Sequence, residues 1–498
     1  MTWDRWKLAL PRLTSPSAIA HGSLLSMMGA LAYKGANALG FLLVARFRGV
    51  EDAGAFSLAI TYVVGVSAAS SGLDELLTRD IAAGTNDERP SLGSYIRLRF
   101  ALSIAGYALV LVMARLLGYP RETAQAIRLV GLCIIIDSVV STLQAALAGR
   151  NLFMPSTIAN AAGAIVKVGG GLCVLAAGGT WAAVGLTWVA GSILTLSLTY
   201  RAVRPYAQVL DPTSKETISS ILPLVSRALP FLGIGLLVTI EYQADVIILS
   251  ATRGQSDVGV YGAATTVAFA FAALPQAFRA ALYPRLAAYS HSDRSSFKEL
   301  YRLSFLVLGL LAFPIAIGLY LTSRDAVVLL FGRSFEVSSS PLGILALCLV
   351  FMFLNVPTSR AILASGYART HLAFVCISLT INIALNIGLT PYYGATASAL
   401  CRFISSGVFF ASNYVFASRR IVGFGAIRML ARPIVATVMM AIVVLFLGTA
   451  PILVRIGSGA VVYGIALVAL RAVPPGTGER LKAFMLEAEV SAKGEGAS

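Results

Sequence analysis

Apolar runs of about 20 residues recur along almost the whole chain, and this repetition constrains its fold more than any other feature. Each run is long enough to cross a hydrocarbon layer about 30 Å thick. Within that layer, only a helix satisfies all backbone hydrogen-bonding groups inside a single run. Of the 498 residues, 57% are hydrophobic and 12% are charged, and soluble domains carry about twice that charged fraction. The sequence therefore predicts an all-α, polytopic membrane protein.

The apolar runs predict about fourteen transmembrane helices. Their approximate cores are residues 23–44, 56–77, 95–117, 124–147, 155–177, 181–200, 228–249, 258–282, 303–322, 341–363, 371–389, 395–416, 430–449 and 452–470. The predicted domains are an N-terminal six-helix lobe (1–204), a cytoplasmic linker (205–222), a C-terminal six-helix lobe (223–418), two additional transmembrane helices (419–471) and a cytoplasmic tail (472–498).

Basic residues are distributed unevenly between alternate loops. With a cytoplasmic N-terminus, the inner segments carry about three times as many Lys and Arg residues as the outer ones, Arg97 and Arg99 among them. This asymmetry predicts that both termini are cytoplasmic in a multi-pass membrane protein. The net charge of +16 reflects these loops, because the basic residues are not gathered on one soluble face that could bind nucleic acid.

An internal duplication is visible in two loop segments. RGVEDAGAFSLA occupies residues 48–59, and RGQSDVGVYGAA occupies residues 253–264, 205 positions later. A looser correspondence joins LAGRNLF at Leu147 to LASGYAR at Leu363. The period contains six spans, an even number, so both halves should have the same orientation in the membrane. We therefore predict two parallel-repeat six-helix bundles, followed by two C-terminal helices.

Ionisable side chains occur inside several predicted spans: Lys34, Asp137, Lys167, Glu241 and Asp245. Such groups are costly in hydrocarbon unless they face a hydrated cavity or a partner. Lys34 lies midway along the first span, too deep for easy snorkelling, so we predict that it faces a cavity. Lys167 and Asp137 could instead pair with each other. Glu241 and Asp245 lie one helical turn apart, which fits either a coupling ion or a purely structural pair.

Four arginines lie closer to span ends, where a long side chain can reach the interface: Arg128, Arg279, Arg360 and Arg402. The excess of cationic groups within the spans favours an anionic cargo, and phosphate is the common large anion of lipids. Arg128 and Arg279 are therefore candidate head-group contacts together with Lys34 and Lys167.

The cysteines and histidines indicate no metal site. All five cysteines fall in apolar runs without a CxxC pair, and the three histidines are far apart in sequence. The outer loops are short and hold no paired acid and base or activated nucleophile. An enzyme is therefore not predicted, although an integral-membrane glycan polymerase or ligase is the alternative from another functional class.

Six segments appear in a characteristic order between residues 44 and 416: VARFRGVEDAGAFSLA, SGLDELLTRDIA, LPFLGIGLLVTIEYQADVIIL, DVGVYGAATTVAFAFAALPQAFRAALYPRLA, LLFGRSFEVSSSPLGIL and NIALNIGLTPYYGATASAL. In order and spacing they resemble the polysaccharide-export and O-antigen-type flippases of the multidrug/oligosaccharidyl-lipid/polysaccharide exporter superfamily. The resemblance implies two six-helix lobes in a V that open alternately. It also implies an undecaprenyl-diphosphate-linked oligosaccharide as cargo in a bacterial inner membrane, for O-antigen, capsule or exopolysaccharide synthesis.

In similar lipid-precursor flippases, cationic residues of the first lobe hold the diphosphate. Lys34, with Asn37 beside it, best matches that role in this sequence, and Lys167 is next. A single lysine here, where peptidoglycan-precursor flippases carry several arginines, favours a surface polysaccharide. The resemblance further implies membrane lipids and a polysaccharide polymerase with its chain-length regulator as partners.

Similar proteins also bind sodium among spans seven, eleven and twelve. By position, Asp245, Asn382, Asn386 and Thr396 could supply an oxygen-rich site of the kind that hard cations prefer. Glu241 and Asp137 complete the candidate ion-coupling residues. The resemblance thus implies Na⁺ or H⁺ as a coupling ion and no other cofactor. A cation-coupled multidrug exporter of the same superfamily is the main alternative, and it would need aromatic and acidic groups in the first lobe.

Overall fold

A computed structural model describes residues 16–82, 91–209, 221–448, 450–473 and 476. Helices make up nearly all of this part of the chain, and it contains no β-strand. The first seven are α1 (Pro16–Arg48), α2 (Val50–Ala69), α3 (Gly72–Ala82), α4 (Leu92–Leu116), α5 (Arg121–Ala148), α6 (Phe153–Ala176) and α7 (Trp181–Val203). The remaining helices are α8 (Ile221–Arg253), α9 (Gln255–Ala270), α10 (Ala273–Ser292), α11 (Arg294–Leu321), α12 (Ser323–Phe331), α13 (Ser339–Ala364), α14 (Ala368–Arg420), α15 (Ala426–Phe446) and α16 (Ile452–Ala469).

Ten of the described helices are long and apolar enough to cross a membrane, and the bent pair Leu224–Leu237 and Thr239–Arg253 within α8 raises the number to eleven. The 53-residue α14 contains a break at Gly394 (φ 58°, ψ −139°), where predicted spans eleven and twelve meet. The predicted eighth span is also broken, into α9 and α10. The all-α, polytopic class is confirmed, whereas the count of fourteen spans stays a prediction.

The chain divides into two compact units, residues 1–247 and 248–498. Helix α8 runs across this division. Most of the predicted linker at 205–222 and nearly all of the predicted tail at 472–498 lie outside the described residues, as does the N-terminal segment before Pro16. The domain boundaries derived from the sequence therefore stay predictions.

The duplicated loops have the same backbone conformation. Gly49, which precedes α2, has φ 89° and ψ −167°. Gly254, which precedes α9, has φ 82° and ψ −166°. Only glycine adopts this region without strain. The two segments that match in sequence at a spacing of 205 residues therefore also match in local structure.

A matching ion pair crosses each of these glycines. In the first unit, Arg48 Nε donates to Asp52 Oδ2 at 3.0 Å, and in the second unit Arg253 Nε donates to Asp257 Oδ2 at 3.0 Å. In each case the arginine ends one helix and the aspartate lies in the first turn of the next. The pairs explain why the Arg, Gly and Asp of this loop are retained in both copies of the duplication.

Alanine at either loop glycine is expected to destabilise the protein by about 1–3 kcal/mol, because no other side chain tolerates this backbone region. No heavy atom lies within 4 Å of a Cβ built at Gly49 or Gly254, so the cost is conformational and not steric. The measurement is the thermal midpoint of the purified protein in detergent. Gly169→Ala is the control, since this α6 glycine is helical and equally open. Equal midpoints for Gly49→Ala and Gly169→Ala would contradict the prediction.

The short amphipathic helix α3 follows the break in the second predicted span and holds it in place. Leu73, Leu76 and Leu77 follow helical spacing and are fully buried in a cluster that includes Leu143 of α5. Another face of α3 carries Asp74, which lines the cavity described below. Because the leucines pack into this cluster, the polar face of α3 lies towards the cavity of the first unit.

The last two helices are anchored to the rest of the second unit by polar contacts. Arg455 of α16 is buried, pairs with Asp325 of α12, and donates to the carbonyl of Leu321 at 3.2 Å. Tyr463 donates to the carbonyl of Leu310 at 2.7 Å. These contacts satisfy polar groups that would otherwise be costly among apolar helices, and they make α15 and α16 part of this unit.

Candidate functional site

The first unit encloses a cavity of about 790 Å³, which lies within the range of small-molecule binding sites. Helices α1 to α7 all contribute to its wall. Its polar and charged lining residues are Tyr33, Lys34, Ser67, Asp74, Glu75, Thr78, Arg79, Arg99, Asp137, Ser141, Gln144, Ser156, Thr157, Asn160, Lys167 and Thr195. A cavity so rich in polar groups among membrane-crossing helices is the kind that holds water or a polar ligand.

Two glycines bring α6 and α7 close together beside this cavity. A Cβ at Gly163 would lie 2.9 Å from the carbonyl oxygen of Gly191, and a Cβ at Gly191 would lie 2.5 Å from Cγ of Lys167. The stem of Lys167 therefore crosses the surface of α7 where no side chain is present. Close backbone approach through small residues is typical of membrane helix pairs.

Lys34 of α1 borders the cavity with an exposed side chain. In the described part of the chain its ammonium makes no ion pair and no hydrogen bond. This position lies midway along the predicted first span, and the sequence predicted that Lys34 faces a cavity. Its charge is left available to a ligand in the cavity.

Lys167 and Asp137 contact the same tyrosine. The Lys167 side chain is 4% exposed, and its Nζ lies 5.2 Å from the ring centroid of Tyr33. The hydroxyl of Tyr33 donates to Asp137 Oδ2 at 3.4 Å. No ion pair within 4.0 Å joins Lys167 to Asp137 in the described structure. The direct pairing considered from the sequence is thus replaced by a lysine–tyrosine–aspartate arrangement at the cavity wall, in which the cation–π contact stabilises the ammonium.

A buried ion pair at the same cavity was not predicted from the sequence. The side chain of Arg99 is 1% exposed, and its Nη2 lies 3.3 Å from Asp74 Oδ2 and 3.0 Å from Ser141 Oγ. Arg99 also donates to the carbonyls of Ser67, at 3.3 Å, and Ser70. Its guanidinium thereby binds backbone oxygens at the end of α2 and in the turn that follows it.

Two polar atoms of this network form no hydrogen bond among the described residues. Nε of Arg99 and Oδ1 of Asp74 are both buried without a hydrogen-bond partner in the described structure. From the sequence, Arg99 is only one of several inner basic residues. The signal that could have found the network was Asp74, a carboxylate within the predicted second span.

Other predicted head-group residues lie apart from the cavity wall. The amide oxygen of Asn37 accepts a hydrogen bond from Trp188 Nε1 at 3.3 Å, behind the lining residues. Arg128 is exposed and does not line the cavity. Arg279 belongs to the second unit, where its side chain is also exposed.

Two predicted ion-coupling residues lie in a buried polar ladder of α14. Asn382 donates to Ser405 Oγ at 3.3 Å, and Asn386 donates to the carbonyl of Asn382 at 3.0 Å. Thr390 donates to Asn386 Oδ1 at 2.9 Å and shares a hydrogen bond of 3.2 Å with Ser398. The ladder thus links the two parts of α14 on either side of its break at Gly394.

The remaining ion-coupling candidates differ in their burial. Asp245 of α8 is fully buried, whereas Glu241, one turn earlier, is half-buried. Thr396 is half-buried, and the hydrogen bonds described for the ladder do not include it. Within the ladder, Oδ1 of Asn382 is a buried oxygen without a hydrogen-bond partner among the described residues.

Comparison with solved structures shows the fold. A lipid II flippase, MurJ, in an inward closed conformation aligns with a TM-score of 0.74 and 18% identity, covering 90% of this chain and 99% of that one. An inward-facing multidrug resistance MATE family transporter of the MOP superfamily aligns with a TM-score of 0.68 and 14% identity, covering 80% of this chain and 98% of that one. At these identities the likeness establishes a shared fold.

Sequence comparison shows the family. A curated relative, the succinoglycan biosynthesis transport protein ExoT of Rhizobium meliloti (strain 1021), is 28% identical over 318 residues. The match spans 61% of this chain and 61% of that relative. The family described as "polysaccharide biosynthesis protein" matches residues 43–340, more than half of the chain. The chain is a multi-pass membrane protein, and it belongs to the polysaccharide biosynthesis protein family.

Proposed function

We propose that this protein is a flippase that moves a lipid-linked, undecaprenyl-diphosphate-type oligosaccharide across the bacterial inner membrane for surface polysaccharide synthesis. The observation that carries the proposal is the Lys34 ammonium, which borders a polar cavity without a carboxylate partner in the described structure. Family membership and the name of the succinoglycan transport relative support the same cargo class.

The cavity offers separate chemistry for the two parts of such a head group. Lys34 and Lys167 place amino groups where they can donate charge-assisted hydrogen bonds to phosphate oxygens. Gln144 and Asn160 form a hydrogen bond of 2.9 Å with each other. Sugar hydroxyls can replace either amide as the hydrogen-bond partner of the other. The polyprenyl tail stays in the hydrocarbon, because removing each methylene from it costs about 0.8 kcal/mol. The protein lowers the barrier for the polar head group and breaks no covalent bond.

In this proposal the cavity is exposed first to one side of the membrane and then to the other. Both termini face the cytoplasm, as the distribution of basic loop residues predicts. O-antigen, capsule and exopolysaccharide precursors are all compatible with the cavity chemistry. A polysaccharide polymerase and its chain-length regulator, acting on the translocated product, would be the functional partners.

A transport assay with purified components tests this function. The full chain is reconstituted in vesicles that contain a fluorescent undecaprenyl-diphosphate oligosaccharide, and a membrane-impermeant quencher reports its transfer between leaflets. We expect transfer that depends on the protein, and little transfer of the same glycan on a neutral polyprenol, because phosphate recognition selects the cargo. Equal transfer of both lipids, or of neither above protein-free vesicles, would contradict the proposal.

A cation-coupled multidrug exporter is the second candidate, and one local observation favours it. Tyr33 and Asp137 place an aromatic ring and a carboxylate at the same cavity wall, a combination suited to an organic cation. The same vesicles loaded with ethidium separate the two functions. Ethidium transport without lipid transfer would favour the exporter.

We further propose that Na⁺ couples to transport through the ladder in α14, with H⁺ as the alternative ion. The partnerless Oδ1 of Asn382 is a hard oxygen donor of the type that alkali and alkaline-earth cations prefer. Replacing Asn382 with alanine is expected to remove most of the sodium stimulation of lipid transfer, measured as initial rates in NaCl against choline chloride.

Asn413→Ala is the matched control for this experiment. Asn413 is also a buried amide of α14, but its Oδ1 already bonds to Nδ1 of His371 at 2.9 Å. We expect the control to keep its sodium response. Sodium-independent transfer by the unmodified protein would instead point to protons or the membrane potential.

A further inference from the structure

In the second unit, Arg279 of α10 and Arg360 of α13 both lack an acidic partner in the described part of the chain. The Arg360 guanidinium lies 5.7 Å from the ring centroid of Tyr283. Tyr283 is four residues after Arg279 on α10, so both side chains project from the same face of that helix. Arg279 lies close enough to Arg360 to act on its charge.

Snorkelling alone does not account for this arrangement. Arginines that only seek the interface spread apart, because like charges repel and water solvates each one separately. Here the Nε of Arg360 is buried and makes no hydrogen bond in the described structure. An anion would accept a hydrogen bond from this buried donor, and it would reduce the repulsion between the two cations.

The internal duplication shows that the two units have diverged at this point. Position 279 corresponds to position 74 at the spacing of 205 residues. In the first unit Asp74 is neutralised by Arg99. The residue that corresponds to Arg99 in the second unit is Ser304, which carries no charge. The duplication therefore replaces an internal ion pair by an arginine and a serine.

A similar difference between the two units is found at Arg360. The looser correspondence between Leu147 and Leu363 aligns Gln144 with Arg360. Gln144, like Asp74, lines the cavity of the first unit. Two positions that carry an acid and an amide in one unit thus carry arginines in the other, which reverses the charge that this face presents.

We propose that Arg279, Arg360 and Tyr283 form a second oxyanion site, which binds a phosphate group carried by a lipid. Two guanidinium groups can hold phosphate oxygens through paired hydrogen bonds, and the exposed tyrosine can donate a further one from its hydroxyl. On the predicted orientation, the end of α13 that carries Arg360 faces the cytoplasm. The site goes beyond the head-group cavity of the first unit and would receive a phosphorylated lipid from the cytoplasmic leaflet.

Lipid binding to the full chain in nanodiscs of zwitterionic lipid tests this site. All variants carry Lys34→Ala, so that the cavity of the first unit contributes less to the signal. The probe is fluorescent undecaprenyl diphosphate. We expect Arg279→Gln with Arg360→Gln to weaken its binding about tenfold or more. The double lysine variant keeps both charges but loses the paired hydrogen bonds, so it should retain an intermediate affinity.

Arg302→Gln is the matched control, because Arg302 is an exposed arginine of α11 in the same unit. It should change the affinity less than twofold. Competition by phosphatidylglycerol at equal potency would identify a bulk anionic lipid as the occupant, whereas competition only by polyprenyl diphosphates would identify the cargo lipid. Unchanged affinity for both lipids in the double glutamine variant would overturn the site. Failure of the unmodified protein to transfer lipid in the vesicle assay, with this binding intact, would overturn the proposed function alone.

Discussion

Lys34→Ala is expected to lower the rate of lipid-linked oligosaccharide transfer by about 10- to 100-fold, while the protein remains folded in the membrane. A charge-assisted hydrogen bond to phosphate contributes about 1.5–3 kcal/mol, and alanine removes both the donor and the charge. Because the Lys34 side chain is exposed at the cavity wall and makes no ion pair in the described structure, its removal leaves no partner buried and unsatisfied. The measurement is the initial rate of transfer in reconstituted vesicles.

Two variants make this result specific. Lys34→Arg keeps the charge and should restore a large part of the rate. Arg128→Ala removes another exposed cation of the first unit, one that does not line the cavity, and it should transfer lipid at close to the normal rate. Full activity of Lys34→Ala, or an equal loss in Arg128→Ala, would contradict the assignment of Lys34 to the head-group site.

Arg99→Ala is expected to reduce the free energy of unfolding by about 3–5 kcal/mol, the usual cost of removing one partner from a buried ion pair. The substitution leaves the Asp74 carboxylate without its cation, and it also releases the carbonyl of Ser67 and the hydroxyl of Ser141. These groups belong to α2, α3 and α5, so the break in the second span should loosen. Denaturant titration of the detergent-solubilised protein, followed by tryptophan fluorescence, measures the effect.

Arg97→Ala is the control, since Arg97 lies two residues away on the same helix but is exposed. It should change stability by less than about 0.5 kcal/mol. Adding Asp74→Ala to Arg99→Ala should recover part of the loss, because the stranded charge is then gone. Equal effects of Arg97→Ala and Arg99→Ala would show that the buried network does not hold the break in place.

Several site features could be predicted from the sequence because they depend on local hydropathy. Lys34, Asp137 and Lys167 were found as ionisable groups inside apolar runs, and the structure places all three at one cavity. Their contact with Tyr33 was not predictable, since a tyrosine in an apolar run gives no signal of its own. Arg99 was missed for a related reason, because it lies near the start of a span, where a basic loop residue is expected.

The duplication could be recognised from the sequence at positions where the backbone conformation requires particular residues. Gly49 and Gly254 stand out because only glycine tolerates their conformation, and the ion pairs beside them repeat the same spacing. By contrast, the divergence at Asp74 and Arg279 looks like ordinary substitution in the sequence. Its meaning emerges only when Arg99 is seen beside Asp74, and Arg360 beside Tyr283, one helical turn after Arg279.

The sequence by itself determined the all-α membrane class, the repeat and the positions of costly charges. These follow from the free energy of transferring each side chain and backbone group into hydrocarbon, which depends on local composition. The tertiary structure alone decided which of those charges meet. Tyr33 lies between Lys167 and Asp137, and Arg99 reaches Asp74, because the packing of helices distant in sequence sets these distances.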